Sequence, residues 1–121
     1  MPDPLIPTAE ATELLDDPGT RFVDCRWYLG EPEQGPAAYA AAHLPGAVYA
    51  DLEAHLSVPE GPGRHPLPEP EWFAAAMGGL GIGDEHLVIG YDDRGGAIAA
   101  RLWWMLRWIG HGRARVLDGG L

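Results

Sequence analysis

The sequence predicts an α/β fold in which a mostly parallel β-sheet is covered by helices on both faces. Short apolar runs typical of buried strands occupy residues 21–27, 87–91 and 115–118, and helical patterns lie between them. Turn signals rich in glycine and proline separate these segments. Because alternating strands and helices form crossover connections, the order predicts parallel strands. Because the chain has 121 residues, which is near the commonest domain size, we expect residues 1–121 to form one domain.

Helical and strand patterns follow one another along the first half of the chain. Residues 8–15 carry an apolar stripe, which predicts a helix capped by Thr8 and ended by the Asp17-Pro18-Gly19 turn. Proline fixes φ and glycine accepts the left-handed conformation, so a turn is predicted at His43-Leu44-Pro45-Gly46-Ala47. The other elements predicted before residue 58 are a strand at 21–27, a helical turn at 37–42 and a brief strand at 47–50.

A proline-rich segment opens the second half of the chain. Residues 58–70 contain five prolines and two glycines, which predicts a surface loop. Further on, a helix predicted at 98–109 is apolar nearly all round, because it carries Trp103, Trp104 and Trp108. We expect such a helix to be buried partly in its own core and partly against a partner domain. The remaining predicted elements are a helix at 71–80 and strands at 87–91 and 115–118.

The charge distribution excludes some classes of partner. The net charge is −10: residues 1–90 carry three Arg and fifteen Asp or Glu (−12), and residues 91–121 carry five Arg and three Asp (+2). Because an acidic surface repels phosphate backbones, we expect no nucleic-acid partner.

No apolar run is long enough to cross a bilayer, and the N-terminus has no signal-peptide pattern. A single cysteine fits a reducing compartment, so we expect a cytoplasmic protein without membrane partners.

The loop between strand 87–91 and helix 98–109 is the candidate functional site. Amide groups of a tight loop at a helix start lack intrahelical partners, and the helix dipole adds positive charge, so the loop holds an anion. Here Asp92 and Asp93 bring their own charge, and the loop has no thiol or hydroxyl nucleophile. We expect both aspartates to cap the helix and Arg94 to neutralise them. The loop residues are Asp92, Asp93, Arg94, Gly95, Gly96 and Ala97.

Other chemical roles are disfavoured by the residues present. A metal-dependent hydrolase that uses Asp92 and Asp93 is the least favoured functional alternative. An aspartyl phosphatase would need a second aspartate at position 94, where this sequence has arginine. We expect His43 to bond backbone groups in its turn, since no second histidine lies four residues on. Cys25 is expected to be buried and inert, because burial raises a thiol pKa. The sequence therefore predicts no catalytic residue, no metal ion and no cofactor.

Several motifs resemble the rhodanese family. The pattern Tyr39-xxx-His43-Leu44-Pro45-Gly46-Ala47 matches the first signature of that family. Further segments are similar in type and order to the same proteins, at residues 22–28, 87–91, 101–107, 110–111 and 116–120. The resemblance covers roughly residues 9–121 and implies a rhodanese-like three-layer fold.

The resemblance is closest to the first repeat of two-domain sulfurtransferases, which act on thiosulfate or 3-mercaptopyruvate. In that family, the second repeat bears a cysteine directly after the strand that corresponds to residues 87–91, and its sulfur becomes a persulfide held by loop amides. The corresponding residue here is Asp92, and a carboxylate neither attacks sulfane sulfur nor holds it. Trp27 matches a tryptophan at the entrance to the active site formed with the second repeat; packing under the loop is the alternative role.

Two functional hypotheses follow from this resemblance. In the first, the chain is the non-catalytic first domain of a tandem sulfurtransferase, and its partner is a cysteine-bearing second repeat. A small-molecule sulfur donor then reaches the chain through the parent enzyme. The sequence stops where the last strand would turn into a further helix, so we expect a truncated or cleaved product. In the second hypothesis, the chain is a free-standing rhodanese-like binding or regulatory module without catalysis.

Overall fold

A computed structural model describes residues 4–61, 63 and 65–120 as a single five-stranded sheet with helices around it. The elements are β1 (Leu5–Ile6), α1 (Thr8–Glu13), β2 (Thr20–Asp24), α2 (Gln34–Ala41), β3 (Val48–Tyr49), α3 (Pro70–Gly79), β4 (Leu87–Tyr91), α4 (Ala97–Trp108) and β5 (Ala114–Leu117). The strands are all parallel and lie in the order β1-β5-β4-β2-β3. The predicted α/β class with a parallel sheet is confirmed. No helix in the described part of the chain is long and apolar enough to span a membrane.

The sheet is buried on both faces, as the prediction of a three-layer arrangement requires. Successive strand residues point to opposite faces, so Phe22 and Val23 of β2 enter different hydrophobic clusters. One cluster contains Val23 with Phe73 of α3 and Leu102 of α4. The other contains Phe22 with Ala11 of α1 and with residues of β1, β4 and β5. Helices therefore cover both faces and close two layers of core.

The pairing of β2 with β4 brings the segment after β2 next to the candidate loop after β4. Their register places Asp24 beside Tyr91 at the carboxyl ends of both strands. Beyond this pair, the backbone N–H of Cys25 donates to the Tyr91 carbonyl at 2.7 Å. The segment after β2 and the loop after β4 therefore lie side by side at the edge where open parallel sheets bind their ligands.

Several predicted boundaries are corrected by the structure. The first buried strand ends at Asp24, whereas the apolar run predicted a strand to residue 27. The predicted helical turn near Tyr39 is the two-turn helix α2. Thr8 is not a capping residue: the N-cap position is Pro7, and the Thr8 hydroxyl donates to the Asp118 carbonyl at 3.3 Å. The two-residue strand β1 was not predicted, because so short an edge strand carries no periodic pattern.

Helix α4 buries one face in the core and leaves two tryptophans exposed on another, while the expected burial against a partner domain stays a prediction. Its buried residues are Ala99, Leu102, Met105 and Leu106. Trp104 and Trp108 are 46% and 39% exposed, and their rings stack with centroids 5.9 Å apart. Trp103 is partly buried, and the Arg107 guanidinium lies over its ring. The exposed aromatic surface of α4 therefore lies on the outside of this domain.

Candidate functional site

The loop after β4 is organised around one buried carboxylate. Asp92 is 0% exposed and accepts four backbone hydrogen bonds, two on each oxygen. Oδ1 accepts from the amides of Arg94 and Gly96 at 2.8 Å, and Oδ2 accepts from Ile98 and Ala99 at 2.9 Å. These amides include unpaired donors at the start of α4, where the helix dipole also favours a negative group. The prediction that Asp92 caps the helix is confirmed.

Two glycines make the close approach of this loop possible. Gly96 is the N-cap residue of α4 and has a φ of +88°, which glycine adopts without steric cost. Gly120, in the turn after β5, has a φ of +67°, and a Cβ atom there would lie 2.5 Å from the Asp92 carbonyl oxygen. The turn after β5 therefore packs directly against the loop backbone. A side chain at position 120 would displace that backbone.

Asp93 and Arg94 have other partners than the sequence predicted. Asp93 does not cap the helix; its Oδ2 accepts a hydrogen bond from the Tyr28 hydroxyl at 2.5 Å. That bond, to a carboxylate, raises the pKa of Tyr28. Arg94 forms no ion pair with either aspartate within the described residues, and its guanidinium lies 5.1 Å from the centre of the Tyr28 ring. Both residues therefore tie the loop to the segment after β2.

Cys25 is buried, as predicted. The side chain is 0% exposed, and the thiol approaches the Val23 carbonyl at 3.7 Å. Burial raises the pKa of this thiol well above its ordinary value, and the negative charges of Asp92 and Asp24 raise it further. A protonated, inaccessible thiol is not a nucleophile at neutral pH.

A buried ion pair next to Cys25 was not predicted. Asp24 is 0% exposed, and its carboxylate accepts from the Arg26 guanidinium at 2.6 Å and from the Arg26 amide at 3.0 Å. The same guanidinium donates to the carbonyls of Ala38 and Ala42 at the end of α2. Hydrogen bonding to Asp24 raises the pKa of Arg26. The spacing Asp-x-Arg at a strand end was the available signal, because strand alternation places these two residues on the same face.

A cleft of about 390 Å³ lies over the junction of the two segments. Its lining residues are Trp27, Tyr28, Leu29, Glu31, Arg94 and Ile98. Trp27 packs partly against the core, and its Nε1–H donates to Glu53 at 3.3 Å. Leu29 is 63% exposed at the same cleft. Trp27 therefore packs partly inward and also lines the cleft, while its predicted place at the entrance to an active site shared with a second repeat stays a prediction.

His43 bonds the backbone of its own turn. The Nδ1 atom of His43 lies 2.7 Å from the Tyr39 carbonyl, and the two rings stack at 3.9 Å, so the expected backbone bond within the turn is confirmed. Across residues 4–61, 63 and 65–120, no group of three His, Cys, Asp or Glu side chains is placed to hold a metal ion.

Comparison with known proteins reveals what this chain is similar to. The protein named "Probable 3-mercaptopyruvate sulfurtransferase" of Pseudomonas aeruginosa is 40% identical over 121 residues, which cover 97% of this chain and 43% of that protein. "Thiosulfate/3-mercaptopyruvate sulfurtransferase 2" of Arabidopsis thaliana is 41% identical over 108 residues, which cover 88% of this chain and 31% of that protein. The solved 3-mercaptopyruvate sulfurtransferase of Leishmania major matches with a TM-score of 0.86 at 37% identity, over 96% of this chain and 32% of that one.

These matches fix the fold and the family. The likeness to the solved sulfurtransferase confirms the rhodanese fold implied by the motifs. The chain spans less than half the length of the relatives it matches. Residues 7–121 match the model of the rhodanese-like domain. The chain belongs to the rhodanese-like domain family.

Proposed function

We propose that this chain is a non-catalytic rhodanese repeat of a sulfurtransferase, and that it forms one wall of an active site whose cysteine lies in a second repeat. The observation that carries the proposal is the occupation of the loop amides by the Asp92 carboxylate. The reaction class is inferred from relatives named for 3-mercaptopyruvate and thiosulfate. The greater length of those relatives supports a partner repeat.

The chemistry of sulfur transfer needs a thiolate. A thiolate attacks the sulfane sulfur of thiosulfate, the donor's S–S bond breaks, and sulfite leaves with the electron pair. An acceptor such as cyanide then takes the terminal sulfur as thiocyanate and restores the thiolate. The Asp92 carboxylate cannot form this persulfide, and the Cys25 thiol is buried with a raised pKa. The reactive sulfur must therefore come from another chain segment.

The cleft at Trp27 is the surface that suits a role as an active-site wall. It combines aromatic and aliphatic side chains with one cation, Arg94, which lies over the Tyr28 ring, and one carboxylate, Glu31. Thiosulfate and 3-mercaptopyruvate are both small anions, for which the Arg94 guanidinium supplies the charged hydrogen-bond donors in this cleft. The exposed Leu29 at the cleft offers apolar surface to a partner repeat.

The proposal is tested first with the chain alone. Thiocyanate formation from thiosulfate and cyanide is measured, together with pyruvate formation from 3-mercaptopyruvate. We expect no turnover above that of Cys25→Ser, and no sulfur atom added to the protein mass by either donor. Turnover or sulfur loading that Cys25→Ser abolishes would overturn the proposal.

The second test adds a cysteine-bearing rhodanese repeat that has little activity by itself. We expect this chain to restore sulfur transfer with saturation, and Trp27→Ala or Arg94→Ala to lower the restored kcat/KM about tenfold. The matched control is Trp72→Ala, which removes an exposed tryptophan of α3 outside the cleft. Saturable binding without any gain in activity would favour the regulatory-module hypothesis instead.

A further inference from the structure

Two side chains from an irregular segment fix the position of Trp27. The segment between β3 and α3 contains neither helix nor strand in its described residues. Within it, Glu53 accepts a hydrogen bond from Trp27 Nε1 at 3.3 Å. The ring of His65 meets the Trp27 ring edge-on, with centroids 5.2 Å apart. The orientation of Trp27 in the cleft therefore depends on where this segment places its side chains.

One arginine of α4 holds that segment. Arg101 Nε and Nη2 donate to the Leu56 carbonyl at 3.1 and 2.8 Å, and Nη2 also donates to the His65 carbonyl at 2.8 Å. The guanidinium thus joins two carbonyls that are nine residues apart in sequence. The planar fork of arginine suits this geometry, whereas a lysine ammonium is a point charge on a flexible stem.

Partial burial of the Arg101 guanidinium is unfavourable, and hydrogen bonds to backbone carbonyls offset that desolvation. It forms no salt bridge within the described chain, and burial lowers the pKa of its guanidinium. A partly desolvated cation without a carboxylate partner is unfavourable unless its donors are satisfied. Here the carbonyls of Leu56 and His65 accept hydrogen bonds from Nε and Nη2.

We infer that Arg101 is a positioning residue: through the His65 backbone it holds the His65 ring against Trp27, and so it sets the wall of the cleft. The consequence for sulfur transfer rests on the proposed function; the mechanical link to Trp27 does not. Arg101 lies on the helix whose first turn is held by Asp92. One helix therefore anchors both the occupied loop and the tryptophan wall.

The link is tested by NMR on the chain with Arg101→Lys, which keeps the charge and removes the fork. We expect the indole N–H signal of Trp27, assigned with Trp27→Phe, to shift and its hydrogen exchange to accelerate about tenfold. The signals of Trp72 and Trp108 should remain in place. Arg107→Lys is the matched control, because Arg107 lies on the same helix but stacks on Trp103.

A second variant keeps the inference falsifiable if Arg101→Lys folds poorly. His65→Ala removes the ring and keeps the carbonyl that Arg101 binds, and it should perturb the Trp27 signal in the same direction. An unmoved Trp27 signal in a folded Arg101→Lys or His65→Ala protein overturns the inference. In the restored sulfur-transfer assay, Arg101→Lys should lower kcat/KM about tenfold. If wild-type chain restores no activity, the proposed function fails, while the NMR result still decides the positioning role.

Discussion

Two neighbouring strand ends differ in what they carry: one has a carboxylate surrounded by amide donors, and the other has a buried thiol. Asp24 and Tyr91 are paired across β2 and β4, so the next residues, Cys25 and Asp92, both lie at the same sheet edge. Asp92 has four amide donors around its carboxylate, whereas the polar contact of the Cys25 thiol among the described residues is the Val23 carbonyl. The residue with the anion-binding amides has no sulfur, and the residue with sulfur has no such amides.

The comparison teaches that surroundings decide reactivity more than residue type does. A cysteine at a strand end is activated when donors or cations stabilise its thiolate. Cys25 has the reverse environment, because burial and the charges of Asp92 and Asp24 all raise its pKa. Asp92 therefore fills the anion site and also helps to keep the neighbouring thiol protonated.

The largest effect should come from removing the carboxylate that holds the loop. Asp92→Ala leaves four buried or partly buried amides without an acceptor, and we expect the free energy of unfolding to fall by about 4 kcal/mol. Urea denaturation followed by circular dichroism measures this change. Asp93→Ala is the matched control, since Asp93 is exposed and, among the residues that the structure describes, its carboxylate bonds the Tyr28 hydroxyl alone. The control should stay within about 1 kcal/mol of wild type, and equal losses in both variants would contradict the role of Asp92.

The sequence predicted this part of the molecule well. The strand at 87–91 and the cap at Asp92 were predictable because an apolar run, acidic residues and glycines follow each other locally, and local chemistry determines a helix start. The alternation of strands and helices also predicted the parallel sheet correctly.

The contacts between distant segments could not be predicted. Asp93 bonds Tyr28 across 65 residues, and Arg101 bonds Leu56 across 45. No periodicity encodes such pairs, because they depend on how the sheet brings strand ends and loops together. The burial of Asp24 with Arg26 was missed for a related reason: a charged pair is buried only where the fold also supplies carbonyls, here from Ala38 and Ala42.

An effect of intermediate size should appear in the pH dependence of the free energy of unfolding. It reports on the protonation of the buried Cys25 thiol. The folded thiol has a pKa above the unfolded value of about 8.5. Below that pH both states are protonated, so the contribution of Cys25 is constant. Above it only the unfolded state loses the proton, and the free energy of unfolding should fall by about 1.4 kcal/mol per pH unit.

Cys25→Ala is the control for this slope, because it removes the thiol and keeps a small apolar side chain. Tyr49 and Tyr91 also have raised pKa values, and burial, the main cause for both, is retained in Cys25→Ala. Denaturation curves measured from about pH 7.5 to 10 should therefore diverge above the unfolded thiol pKa. Parallel pH profiles for wild type and Cys25→Ala would mean that the folded thiol ionises normally.

The smallest effect should come from refilling the emptied amides with an external anion. In Asp92→Ala the amides of Arg94, Gly96, Ile98 and Ala99 have lost their acceptor, and the helix dipole still favours negative charge there. Sulfate at a few times its dissociation constant should then stabilise the variant by about 1 kcal/mol more than wild type, in which Asp92 excludes it. Thermal unfolding in sulfate, against sodium chloride at equal ionic strength, measures this difference. An equal response of both proteins would mean that the loop collapses without its carboxylate, and that Asp92 creates the anion site as well as filling it.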